Sequence, residues 1–297
     1  MIDTQIKLRR IGAGFCGTVW AAADHDSAFK REDGGPERSL SNDFEMHQRI
    51  ERSLKEILPY DTKNPIPHIQ IPACYDLFTP TSTWWGDNLQ SFPQGYQPCT
   101  MIHAQRIPPV SKGARRLLTE RYCPKPLISE IMTSDTNRDC LIRPYLGRRR
   151  IQTTSSRSKF QAFSLRNYPL HLDQMEEPGI PREDIIGYAR TMADALAVMH
   201  WVAEVDGNDV EFVLAAPNNK SGQTWSNVLG KHQMWLLDFD LVRTITLDEQ
   251  GVEQAAKAFC KNDPFFPRPA SLLWRAFSQQ YLATSAHCLT VKHPSVT

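Results

Sequence analysis

The chain has 297 residues, 41% apolar and 23% charged, with a formal net charge of +1. That is a globular composition with enough apolar residues for a sizeable core. So small a net charge gives no electrostatic case for nucleic acid or a membrane surface, and no apolar run reaches the roughly 18 residues of a membrane span. The first residues, Met1-Ile2-Asp3-Thr4-Gln5, are polar and acidic, unlike a secretory leader. Seven cysteines at irregular spacing, with no C-x-x-C pair, argue against structural zinc and a disulfide framework. A reducing cytoplasmic setting and a small-molecule partner are the expectation.

Taken in chain order, Ile11 to Val19 form a glycine-rich segment, with Gly12, Gly14 and Gly17 in G-x-G-x-x-G spacing. In a dinucleotide-binding fold a helix would begin at the third glycine. Here Thr18-Val19-Trp20-Ala21 is β-branched and apolar, so a second strand is predicted, then a turn at 24–27 and a third strand carrying Ala28-Phe29-Lys30. Cys16, inside this loop, reads as a small apolar filler. Ser41-Asn42-Asp43 predicts a helix cap. From there Phe44, His47, Ile50, Leu54 and Ile57 recur at helical spacing, and Pro59 stops the run.

Short strands are expected around 67–72 and 73–78. Residues 79–128 show little periodicity and are predicted to be an irregular insertion. Cys140 to Gly147 reads as a strand and turn, with a hinge expected near 143–147. Residues 148–163, with Arg148-Arg149-Arg150, read as a basic loop. Pro181 opens a helix over 182–200, with Ile185, Ile186, Ala189, Met192, Ala193, Leu196 and Ala197 as its buried stripe. Val210–Ala215 and Met234–Asp238 are apolar strands, and two further helices are expected at 249–260 and 272–285. The predicted class is α+β, divided at residues 1–146 and 147–297.

Five features carry chemistry. Gly12, Gly14 and Gly17 let the backbone approach a phosphate closely. Lys30 supplies a point charge for phosphate oxygens. Glu45, fifteen positions later, is placed to pair with Lys30. The loop 200–214 puts Asp206 five residues ahead of Glu211 and an apolar strand. Asp238-Phe239-Asp240 ends the next strand, where Asp238 offers hard oxygen ligands. Each has a bland alternative: Glu45 as a solvated helix residue, Asp238 as a strand-end cap.

In this order the features resemble the protein-kinase-like superfamily, in its small-molecule phosphotransferase branch. The stretches Arg143–Gly147, Asp209–Leu214, Leu236–Asp240 and Asn262–Pro267 also resemble a fungal family of kinase-like proteins, some of which carry zinc fingers; no fingers are present in this chain. The resemblance implies a two-lobed kinase-like fold with a small antiparallel lobe and a mostly helical one. It implies ATP and Mg²⁺, Asp206 in the catalytic aspartate position, and Glu211 and Asp238 on the metal. The chain departs from the pattern: Glu204-Val205 precedes Asp206, Glu211 replaces an asparagine, Asp240 replaces a glycine, and no Ala-Pro-Glu anchor follows.

Three functions are consistent with these residues. One is phosphoryl transfer from ATP to a small-molecule hydroxyl. Another is a cofactor-free acid/base enzyme of secondary metabolism, a cyclase, isomerase or dehydratase, in which crowded Asp206, Glu211 and Asp238 keep one carboxyl protonated. The last is a pseudokinase, a binding module with a protein partner.

Overall fold

The computed structural model describes residues 7–14, 17–23, 25–33, 38–57, 69–150, 163–218 and 222–292. Cys16, Pro59 and most of the basic loop at 148–163 lie outside these residues.

The described residues form an α+β fold with two five-stranded sheets and eight α-helices. The first half holds β1 (Arg9–Ala13), β2 (Gly17–Ala21), β3 (Ser27–Glu32), α1 (Leu40–Ile57), β4 (Cys74–Phe78), α2 (Trp84–Asn88) and β5 (Met101–Gln105). Then come α3 (Lys112–Tyr122), α4 (Ile128–Thr133), β6 (Ile142–Tyr145), β7 (Tyr168–His171), α5 (Leu172–Glu176) and α6 (Arg182–Trp201). The chain continues through β8 (Glu211–Ala215), β9 (Trp225–Asn227), β10 (Gly230–Leu237), α7 (Glu249–Lys261) and α8 (Leu272–Lys292).

The first sheet is antiparallel throughout, in the order β1-β2-β3-β5-β4. Strand alternation sends Ala28 and Lys30 to one face and Ser27 and Phe29 to the other. The Phe29 face is covered by the segment expected to be irregular. Trp84, Trp85, Phe92 and Tyr96 pack with Trp20 and Phe29 into an aromatic cluster. Residues 79–128 are therefore structured: they contain α2, β5 and α3, and their aromatic residues lack a helical period because they answer to the sheet beneath them. On the same face His103 joins Ser27 and Asp76 across three strands, at 3.1 Å each.

Helix α1 packs toward β4 and β5. It begins one residue before the expected cap: the Asn42 N–H reaches Ser39 Oγ at 3.4 Å and the Leu40 N–H reaches Glu32 Oε1 at 3.1 Å. Its inward residues are Leu40, Asp43, Met46, His47, Ile50, Leu54 and Ile57.

The second sheet runs β7-β6-β8-β10-β9, with β6 and β7 parallel. The stretch 143–147, expected as a hinge, largely forms β6 in the interior of this sheet, and the chain leaves the first sheet earlier, through 106–110. That crossing is held by Val110 N–H to Cys140 O at 3.0 Å and Ala216 N–H to Pro108 O at 3.2 Å. Helix α6 is buried nearly all round and lies along α8, which explains its apolar sequence on more than one face. No helix among the described residues is long and apolar enough to cross a membrane.

Candidate functional site

Between the two sheets lies a cleft of about 760 Å³. Gly12, Gly14 and Gly17 line it from the β1–β2 hairpin, and Lys30 from β3. Asp43 and His47 reach it from α1, Glu211 from the start of β8, and Asp238 from the end of β10. A Cβ at Gly17 would lie 1.9 Å from the Arg31 carbonyl oxygen, so only glycine lets β2 pass β3 here. At Gly14 nothing among the described residues stands within 4 Å of an added Cβ.

The Lys30 ammonium sits 2.6 Å from Asp43 Oδ2 and 2.6 Å from Asp238 Oδ1. Asp43 is almost fully buried, and its other oxygen accepts the Phe239 N–H at 3.1 Å. Thus one carboxylate ties the β3 lysine to the end of β10. Glu45, the residue expected in this role, is exposed on the other side of α1. The first turn of α1 continues the tie: Asn42 Nδ2 donates to the carbonyls of Asp240 and Val242, at 2.9 and 3.0 Å. Arg38 spans Asp240 and Asp209, at 2.9 Å each.

Burial alone would raise the Asp238 carboxyl, but the Lys30 ammonium against it holds it below the ordinary aspartate range. Glu211 behaves oppositely. Burial pushes it up to about 7, Asp238 adds to the rise, and Arg143, at 2.6 Å, only partly offsets it. Two carboxylates on paired strand ends, Leu237 facing Glu211 in register, thus hold protons with very different affinity. Asp209 (φ 61°) and Asp238 (φ 69°) both adopt the left-handed conformation, at a local cost that aspartate bears better than most residues.

Asp206 is not brought to this cleft. It is buried, with Oδ1 accepting the Asn208 and Arg243 N–H groups at 3.0 Å each, and Oδ2 accepting Gln254 Nε2 at 2.9 Å. Three donors saturate it as a staple of the 204–208 loop, beside a separate polar groove of about 410 Å³ with Gln254, Lys257 and Lys261. The carboxylate that this loop sends to the cleft is Asp209. The structure therefore unites Gly12, Gly14, Gly17, Lys30, Glu211 and Asp238, leaves out Glu45 and Asp206, and adds Asp43 and Asp209. Asp43 lies four residues before His47 on the buried stripe, a signal present in the sequence. Asp209 has none, because only folding turns that loop inside out.

Residues 234–293, from β10 through α8, match a family model, DUF3669, described as "Zinc finger protein". No curated protein matches the chain. In this segment Cys288 is buried and Cys260 exposed, and among the described residues no group of three or more His, Cys, Asp or Glu side chains is placed to hold a metal.

Proposed function

We propose that this chain is a two-lobed, kinase-like phosphotransferase that takes ATP and Mg²⁺ in the cleft and phosphorylates a small-molecule hydroxyl. The observation that carries this reading is the Lys30–Asp43–Asp238 arrangement beneath a glycine hairpin on the same cleft. A lysine fixed between two carboxylates is pre-oriented for phosphate oxygens, and glycine backbone admits them closely. Asp238 and Glu211 supply two oxygen ligands on neighbouring strand ends. That donor set fits Mg²⁺, which takes one or two carboxylates and fills its shell with water and phosphate oxygens. When bound, the ion would neutralise charge on the transferred group. On this reading Asp209, which lines the cleft where Asp206 does not, would orient an acceptor hydroxyl or take its proton.

The reading is tested by melting the protein with ATP and Mg²⁺. Ligand at 100 times its Kd should stabilise the fold by about 2.7 kcal/mol, and Lys30→Ala should abolish the shift. Absence of any shift in the unaltered protein overturns it.

A second reading, cofactor-free acid/base catalysis, draws support from Glu211. A carboxyl titrating near 7 beside Arg143 can both donate and accept a proton at neutral pH. Turnover of a substrate without nucleotide, with Glu211→Gln inactive, would establish it over the first. The burial of Asp206 away from the cleft supports a third, a pseudokinase that serves as a binding module for a protein partner.

A further inference from the structure

The cleft continues past Glu211 onto a shelf built by β6 and the turn after α7. Leu146 N–H bonds to Phe265 O at 3.2 Å and Gly147 N–H to Pro264 O at 3.1 Å. A Cβ at Gly147 would lie 2.3 Å from the Phe266 carbonyl, so this seam is closed as tightly as backbone allows. Asn262, buried, donates to Val210 O at 2.9 Å and fixes the shelf next to Asp209 and Glu211. Tyr145 and Phe265 stand edge to face at 5.3 Å and give it an aromatic wall.

The charges of the cleft are not evenly matched. Lys30 is held by Asp43 and Asp238, Arg38 by Asp209 and Asp240, and Arg143 by Glu211. Asp139 is taken by Arg9 and Arg106. Lys261, at the end of α7, lines the cleft and forms no ion pair among the described residues. The acidic residues of the adjoining groove are also engaged, Glu253 with Lys257 at 2.7 Å and Asp206 with its three donors, and Asp263, two residues on, pairs with Arg148 and Arg268. A solvated lysine has no internal competitor to displace, and an aromatic wall favours a flat apolar body.

We infer that this shelf binds the acceptor substrate, and that the acceptor is a small hydroxylated acid: an anionic group on Lys261, an apolar or aromatic body against Tyr145 and Phe265, and a hydroxyl toward Asp209 and Glu211. The assignment as acceptor rests on the phosphotransfer reading; the chemistry of the shelf does not.

The test uses the full chain without nucleotide and two probes of similar size, 4-hydroxyphenylacetate and its uncharged counterpart 4-hydroxyphenylethanol, titrated by ligand-observed NMR. The acid should bind at least ten-fold more tightly. Lys261→Glu should erase that preference and Lys261→Arg should keep it, while Tyr145→Ala should weaken both probes. Lys261 is exposed, so neither substitution at 261 should perturb folding. Equal binding of the two probes, no binding of either, or a preference that survives Lys261→Glu overturns the inference. Melting the same samples with ATP and Mg²⁺ separates the two ideas: a probe preference without a nucleotide shift upholds the shelf and sinks phosphotransfer.

Discussion

Asp43 holds Lys30 at 2.6 Å from a buried position in α1, and its second oxygen caps the Phe239 N–H. This carboxylate therefore serves β3, α1 and the end of β10 together. Asp43→Asn removes one ion pair but leaves Lys30 its contact with Asp238, so the loss is less than that of stranding a buried charge. A destabilisation of about 1–3 kcal/mol is expected. Glu45→Gln, on the exposed side of the same helix, should stay within about 0.5 kcal/mol. Urea melts of the two variants decide which residue carries the tie, and equal effects would refute this assignment.

Much of the first sheet can be read from the sequence, because its signals are local. The β-branched stretch after Gly17 and the short turn before Ala28 leave little choice but three strands. Pro181 and the dense apolar stripe after it likewise mark α6. The misplaced partner of Lys30 is a matter of helical phase. His47, Ile50, Leu54 and Ile57 define the buried line, and stepping back four from His47 reaches position 43, whereas 45 falls nearly opposite. What could not be read locally depends on distant chain. The aromatic residues at 84–96 take their order from Trp20 and Phe29. Asp206 is buried by donors from Arg243 and Gln254, tens of residues away.

The different surroundings of Asp206 and Asp209 predict opposite phenotypes. Asp206→Ala strands two backbone N–H groups and a glutamine amide, and a stability loss of about 2–3 kcal/mol is expected. Asp209 is half exposed and its pair with Arg38 is open to solvent, so Asp209→Asn should change stability by less than about 1 kcal/mol. Under the phosphotransfer reading Asp209→Asn should nevertheless lower kcat by about 100-fold or more, the usual share of a general base. Calorimetry together with a turnover assay checks both arms. An Asp209→Asn protein with full activity removes Asp209 from the chemistry.

The hairpin glycines should separate in the same way. Gly17→Ala drives a methyl group into the Arg31 carbonyl, and the β2–β3 pairing must yield. A loss of about 1–3 kcal/mol is expected, as for other overpacked sites. Gly14→Ala meets nothing among the described residues within 4 Å and should leave the melting temperature unchanged in the free protein. Gly14 lines the cleft, and under the phosphotransfer reading its added methyl group should reduce the ATP-dependent melting shift. A full shift in Gly14→Ala would mean that the hairpin does not cover the ligand.

Asp194 makes one contribution to the pH dependence of stability, opposite in sign to that of His47, His200 and His232, which burial holds below the ordinary histidine range. Asp194 lies almost completely buried on α6, where Thr284 and Gln280 of α8 both donate to Oδ1, while Oδ2 has no hydrogen-bond partner among the described residues. Burial raises its carboxyl to about 7, and the two donors only partly oppose the rise. The folded protein thus keeps this proton at pH values where the unfolded chain, with an ordinary aspartate near 3.9, has lost it. Between those limits this carboxyl binds more proton in the folded state, so its own contribution to stability falls as pH rises. The contribution is complete below about pH 4 and is lost by about pH 7, with a slope of at most about 1.4 kcal/mol per unit for one proton. Glu211, raised in the same direction, adds to this contribution, and the three buried histidines oppose it below about pH 6.5. Asp194→Asn removes the titration without a large change of shape. Relative to the unaltered protein it should be more stable at pH 8 by about 1–4 kcal/mol and little changed at pH 4, a difference that grows as pH rises. Urea melts across pH 4 to 8 measure this directly. An unchanged slope in Asp194→Asn would show that the α6–α8 contact takes up no proton.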